Sequence, residues 1–231
     1  MIRSFAIVSY SRFNYINKPV IKGAELLQQL KGQNVLFVSN HQTYFADVAF
    51  MFHVMESAID GHPNELWLRS MLKCPFPQIY FVAAEETMKS GILPKLMGYA
   101  GAISIKRTWR EAGANIKRKV DGKDTESIKK ALDSGWVITF PQGTTKPFAD
   151  GRKGTAHIIK DYQPIVVPIV INGFRRAFDK KGLFLKKKGT KLEVTIKPPL
   201  VLDYSDNVEN ILHKVMSGIE QSEKYEWRSR N

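Results

Sequence analysis

A chain of 231 residues, 43% of them hydrophobic, can bury one sizeable core, which excludes a disordered chain and a multi-span membrane protein. A net charge of +13 calls for an anionic partner: nucleic acid, an anionic membrane surface, or an acidic carrier or substrate. The single cysteine, Cys74, excludes an internal disulfide and a cysteine-rich zinc site and suits a reducing cytoplasm.

From the N-terminus, residues 2–16 carry Ile2, Phe5, Ala6, Phe13 and Ile16 at near-helical spacing, and the pattern predicts an amphipathic helix. Met1 to Val8 has neither the apolar core nor the cleavage site of a secretory signal, and no apolar run reaches the roughly 18 residues of a membrane span. A second short helix is expected over Ile21–Leu30. Strands and helices then alternate: strand Val35–Ser39, helix from about Tyr44 to Glu56, and strands Ile79–Ala83 and Ala102–Ile105. They are followed by helix Thr125–Leu132 and strands Trp136–Phe140, Ile165–Asn172 and Leu192–Lys197. Val208, Ile211, Leu212, Val215 and Ile219 form a 3.6-period stripe that predicts a docked C-terminal helix after Pro198-Pro199. The alternation predicts an α/β fold, a mixed, mostly parallel central sheet flanked by helices. Three regions are expected: an N-terminal helical segment over 1–33, an α/β domain over 34–203 and a C-terminal helix over 204–231.

Two strand ends carry the chemistry. Asn40-His41-Gln42-Thr43-Tyr44-Phe45-Ala46-Asp47 follows the first apolar strand. A histidine there with a carboxylate a few residues on is the arrangement in which one imidazole nitrogen is held and the other takes a proton. Phe140-Pro141-Gln142-Gly143-Thr144-Thr145 follows a later strand, and its backbone N–H groups and hydroxyls suit an anion or a developing oxyanion. Lys106-Arg107 closes a third strand, where a guanidinium fork meets a phosphate or carboxylate. His53, His62, His157 and His213 show no metal-ligand spacing, and Cys74 has no histidine base assigned to it, so neither a metal nor a cofactor is expected.

Taken in order, four blocks resemble those of the glycerolipid acyltransferase family, which acylates glycerol 3-phosphate or lysophosphatidic acid. They are Asn40-His41 to Asp47, Gly101-Ala102-Ile103-Ser104-Ile105-Lys106-Arg107, Phe140 to Thr145, and Val166-Val167-Pro168-Ile169-Val170. The resemblance covers residues 35 to 172. It implies an O-acyltransferase in which His41 is the base, Asp47 its orienting partner, and Arg107, Gln142, Gly143, Thr144, Thr145 and Lys146 meet the substrate. The donor implied is acyl-ACP or acyl-CoA and the acceptor a lysolipid such as lysophosphatidic acid. The protein is then cytoplasmic and peripheral on the inner face of the cell membrane.

The pattern departs from the family at three places. Five residues separate His41 from Asp47 where the family has four, which asks for a wider turn before the helix. Gln142 stands where the family has glutamate and Thr145 where it has arginine. Either a cation such as Lys146, Arg152 or Lys153 replaces that arginine, or the acceptor is not a simple glycerol phosphate; an N-acylated amino acid lipid is one alternative.

The basic residues cluster, with seven between Lys106 and Lys123 and eight between Arg175 and Lys191. The second cluster encloses Leu183-Phe184-Leu185, a greasy tip suited to an anionic membrane surface. A nucleic-acid-binding module is the alternative from another class. No aromatic-rich RNP-type strand, zinc spacing or helix-turn-helix pattern accompanies the charge, so no nucleic-acid partner is expected. A family member that binds lipid without turning it over is a third reading, raised by the altered His-to-Asp spacing.

Overall fold

The computed structural model describes residues 7–73, 78–88, 101–106, 110–111, 114–115 and 122–230. Nine strands occur among them: β1 (Lys18–Lys22), β2 (Val35–Ser39), β3 (Gln78–Ala84), β4 (Ala102–Ile105), β5 (Arg110–Glu111), β6 (Ala114–Asn115), β7 (Gly135–Thr139), β8 (Ile165–Asn172) and β9 (Lys191–Ile196). Seven form one sheet in the order β1-β9-β8-β2-β7-β3-β4, and β5 pairs with β6 apart from it. Every neighbouring pair in the large sheet is parallel except β8 with β9. The expected fold class is borne out.

Strand period and burial agree. In β2 all five residues are buried, the mark of a central parallel strand covered on both faces. Val35 and Phe37 point to one face with Trp136, Ile138, Val167, Ile169 and Ile171, while Leu36 and Val38 point to the other with Val137 and Val166. The first face is covered by helix Ala46–Ile59, the helical turns over 7–15 and the short helix Phe174–Ala177. The second is covered by helices Gly122–Ser134, Lys153–Tyr162 and Val208–Gly218. Twelve of the fourteen residues of Ala46–Ile59 are buried, which is why its sequence is apolar nearly all round. The predicted C-terminal stripe does dock, with Ile211, Val215 and Ile219 fully buried and Asn207 capping the helix through Asn210 N at 2.7 Å.

The helix expected over Ile21–Leu30 is corrected. Lys18–Lys22 is an edge strand parallel to β9, and only Leu26–Gln29 is helical. Gly23 enforces the break: it has φ +76°, and a Cβ there would lie 2.1 Å from Ile196 O. Helices Lys153–Tyr162 and Glu223–Arg230 were not anticipated by the apolar pattern. Cys74, Arg107 and Lys117–Lys119 lie outside the described residues.

Candidate active site

Because β2, β7, β3, β4 and β8 run the same way, the chain leaves all five at one edge of the sheet, and the loops that carry chemistry gather there. The turn after β2 is pinned first. Asn40 Nδ2 donates to Ile171 O at 2.9 Å and Asn40 Oδ1 accepts from Ile171 N at 2.8 Å, so its side-chain amide pairs with the β8 backbone as a further strand residue would.

His41 follows at once. Its Nδ1 lies 2.9 Å from Asp47 Oδ2, with the imidazole 13% exposed and the carboxylate fully buried. The extra residue before Asp47 is absorbed by the turn itself. Asp47 Oδ2 also accepts from Gln42 N at 2.5 Å and Thr43 N at 2.9 Å, while Oδ1 accepts from Thr43 Oγ1 at 2.6 Å. Four donors therefore satisfy a carboxylate that would be costly to bury alone, and its place in the first helical turn suits its charge.

The second loop packs on the first. Phe140, just past β7, stacks on His41 with ring centroids 4.0 Å apart and 24° between planes. Gly143 N donates to Phe140 O at 2.9 Å, closing the turn, with Gly143 at φ +62°. Lys146 N reaches Thr144 Oγ1 at 3.3 Å, and Lys146 is exposed while Thr145 is buried. Gln142 is 1% exposed and points inward: its Nε2 donates to Ala149 O at 2.9 Å and to Gln221 Oε1 at 3.2 Å. The expected Gln142 side-chain contact with substrate therefore meets an amide occupied in bracing the loop. Lys106 ends the described part of β4's exit, its N donating to Asp124 Oδ2 at 2.9 Å.

Lys153, one of the cations expected at this turn, is engaged outside it. Arg152 N bonds Pro141 O at 2.8 Å, and Lys153 pairs with Glu209. Arg175, three residues past β8, donates its guanidinium to Thr145 O, and its own backbone N is held by Gln42 Oε1 at 3.2 Å. Arg175 so ties the His41 turn to the Thr145 turn. It makes no ion pair among the described residues. The sequence placed it only in a basic cluster; the available signal was its position as the first cation after the strand of the fourth block.

Two more titratable groups lie deeper on the helix Ala46–Ile59, which carries Asp47 in its first turn. Burial pulls His53 down to about 4, with Nε2 against Ser9 Oγ at 2.8 Å and Nδ1 without a hydrogen-bond partner among the described residues. Burial, aided by the negative charge of Asp60, pushes Glu56 up to about 8. Both stay neutral around pH 7.

This edge-of-sheet histidine–aspartate pair joins the ordered blocks to a three-dimensional site. Residues 18–172, well over half of the chain, match the sequence model of the family described as Acyltransferase. The chain belongs to the acyltransferase family and is an enzyme of that class, so the resemblance read from its four blocks is borne out. Its fold is similar to the crystal structure of the 1-acyl-sn-glycerophosphate (LPA) acyltransferase PlsC from Thermotoga maritima. That likeness has a TM-score of 0.55 at 18% identity and covers 95% of this chain and 77% of the other. No match is found among curated proteins. No helix among the described residues is long and apolar enough to cross a membrane.

Proposed function

We propose that the protein moves a fatty acyl group from an acyl-ACP or acyl-CoA thioester to a hydroxyl of a lysolipid acceptor such as lysophosphatidic acid, at a membrane surface. The observation that carries this reading is the 2.9 Å contact between His41 Nδ1 and the fully buried Asp47. With Nδ1–H donated to the carboxylate, Nε2 is the nitrogen that accepts a proton.

An alcohol near neutral pH is almost wholly protonated and attacks a thioester slowly. His41 Nε2 takes the hydroxyl proton as the oxygen bonds to the thioester carbon, and general-base help of this kind contributes about 10²–10⁴-fold. Asp47 stabilises the imidazolium that forms. The tetrahedral intermediate collapses as the carbon–sulfur bond breaks, and the proton passes from the imidazolium to the leaving sulfur. The thioester is already activated, so no acyl-enzyme is required.

Gly143 N is engaged with Phe140 O, so the proposed anion-holding groups of the second loop are those of Thr144 and Thr145, with Lys146 at the rim. Arg175 beside Thr145 is proposed to meet the acceptor's negative headgroup, together with Arg107 beyond β4. Gln142 is proposed to shape the loop. An N-acyl amino acid lipid carries a carboxylate that Arg175 would pair as readily as a phosphate, and it stays in the acceptor panel.

The test is direct. Purified protein given lysophosphatidic acid and acyl-ACP or acyl-CoA should form the diacyl product, and folded His41→Ala should not. Full turnover in His41→Ala rules out the base assignment. Turnover on no member of a lysolipid panel by the unaltered protein rules out the substrate class.

A further inference from the structure

The loop from Phe140 to Arg152 carries Thr144, Thr145 and Lys146, and two side chains from elsewhere in the chain grip it. One is Arg175, whose guanidinium donates to Thr145 O. The other is Gln221, 79 residues beyond Gln142. Its Oε1 accepts from Phe148 N at 2.9 Å and from Gln142 Nε2 at 3.2 Å. Gln142 Nε2 also donates to Ala149 O at 2.9 Å, and Arg152 N closes the base of the loop on Pro141 O at 2.8 Å.

Gln221 is itself fixed. Helix Val208–Gly218 ends in a left-handed cap: Glu220 has φ +59°, Glu220 N donates to Ser217 O at 3.2 Å, and Gln221 N donates to Met216 O at 2.9 Å. Glycine usually takes that left-handed place. Here Lys197 holds the glutamate, its Nζ donating to Gly218 O and to Glu220 Oε1, both at 2.8 Å. Gln221 Nε2 donates to Glu220 O at 2.9 Å, which leaves Oε1 turned to the loop.

Phe148, at the other end of this clasp, is left-handed as well, with φ +52°. A bulky side chain rarely adopts that region, and such strain persists only where the surroundings over-determine it, as they do at ligand clamps. Four non-glycine residues have positive φ among the described residues, and two of them, Phe148 and Glu220, bond the Gln221 side chain. The strain is therefore concentrated on one amide.

We propose that Gln221 is a positioning residue for the acceptor's anionic headgroup. It acts through Phe148 and Gln142, holding the turn of Thr144, Thr145 and Lys146 in the place where Arg175 meets it. The inference rests on the acyl-transfer reading and adds to it a residue outside the matched span 18–172. The clasp requires an amide at 142, because both N–H groups of Gln142 Nε2 meet oxygens, Ala149 O and Gln221 Oε1, and a glutamate offers no N–H. The glutamine that departs from the family's block is thus the partner that Gln221 needs.

The test compares a short-chain lysophosphatidic acid with the uncharged monoacylglycerol of the same chain length. Binding is measured by calorimetry on full-length His41→Ala protein, without a donor, and again with Gln221→Ala added. The added change should raise Kd for lysophosphatidic acid about tenfold, the worth of one misplaced charge-assisted contact, and leave monoacylglycerol binding as it was. Gln221→Glu keeps an oxygen for both donors, so its Kd should rise less than that of Gln221→Ala. A brace with no part in headgroup binding would weaken both lipids alike. Equal losses on the two lipids overturn the proposal, as does an unchanged Kd for lysophosphatidic acid or a Gln221→Glu variant no better than Gln221→Ala. Turnover that survives in His41→Ala would sink the base assignment and leave these Kd values intact, so the two readings fail separately.

Discussion

Phe140 lies nearly flat on His41, ring centroids 4.0 Å apart, and so bounds one face of the imidazole while Asp47 holds it along its edge. The carboxylate sets the tautomer, and the ring stack sets the plane in which Nε2 points. Phe140→Leu keeps apolar volume but frees that plane. The expected result is a fall in kcat of about tenfold with KM little changed, since a base out of line loses rate rather than binding. An unaltered kcat would show that the stack is only packing.

Asp47→Asn tests the other constraint. An amide can accept from some of the four donors that surround the carboxylate but presents N–H groups to others, and it cannot offset an imidazolium. Loss of about a thousandfold in kcat is expected, within the range of general-base catalysis. A buried mismatch of this kind also costs about 2 kcal/mol of stability. Stability is read by denaturant unfolding and rate by acyl transfer. A stability loss without a rate loss would leave Asp47 as a structural anchor alone.

Arg175→Ala separates headgroup binding from chemistry. The Gln42 contact uses the Arg175 backbone and survives the change, so the His41 turn keeps its tie to β8. A charge-assisted bond to an acceptor phosphate is worth roughly tenfold to a hundredfold in KM. That rise is expected for lysophosphatidic acid, with no change for an uncharged monoacylglycerol. Equal losses on both acceptors would mean that Arg175 braces the Thr145 turn instead.

What the sequence made legible follows the range of the interactions involved. The Val35–Ser39 strand, His41 and Asp47 lie within one short window, where an apolar run and polar strand-end residues can be read directly. The edge strand Lys18–Lys22 has lysine at both ends and Pro19 within, so its identity rests on pairing with β9 some 170 residues later. Arg175 and Asn40 were likewise opaque in role, because their partners Thr145 and Ile171 lie 30 and 131 residues away. Gln142 was assigned to substrate by its place in a block; only Ala149 and Gln221, brought in by the fold, turn its amide inward. Helix Lys153–Tyr162 packs through Ala156, Ile159 and Tyr162, a helical stripe that spans under two turns, so its signal in the sequence is short rather than absent.

Glu56 and His53 predict the pH dependence of stability. Glu56 is raised from 4.5 to about 8, so the folded state holds its proton and stability is lost as pH rises from 4.5 through 8. His53 is lowered from 6.5 to about 4, so stability is present above 6.5 and lost as pH falls toward 4. The two slopes oppose each other between 4.5 and 6.5, leaving the decline from 6.5 to 8 to Glu56. Glu56→Gln should abolish that decline, with a gain on the order of 4 kcal/mol at pH 8 and above. Unfolding curves across pH 5–8.5 check this, and a variant whose curve still falls above pH 6.5 would contradict it.

Gly182 shows how closely the connection over 173–190 and the His41–Asp47 pair are built together. At φ +79° its backbone suits glycine, and a Cβ would meet Ala46 N at 2.5 Å and Thr43 Oγ1 at 2.8 Å. Thr43 Oγ1 is the hydroxyl that bonds Asp47 Oδ1, so the added methyl group pushes on the orienting carboxylate through one atom. Gly182→Ala should cost about 2 kcal/mol of stability from strain and clash. It should also lower kcat more than KM, because the displaced group positions the proposed base rather than binding substrate. Gly189→Ala is the control: it shares a positive φ of 66° but has nothing within 4 Å of its would-be Cβ, so it should show the backbone cost without the rate loss. Matching kinetics in the two variants would mean that strain in the loop does not reach Asp47.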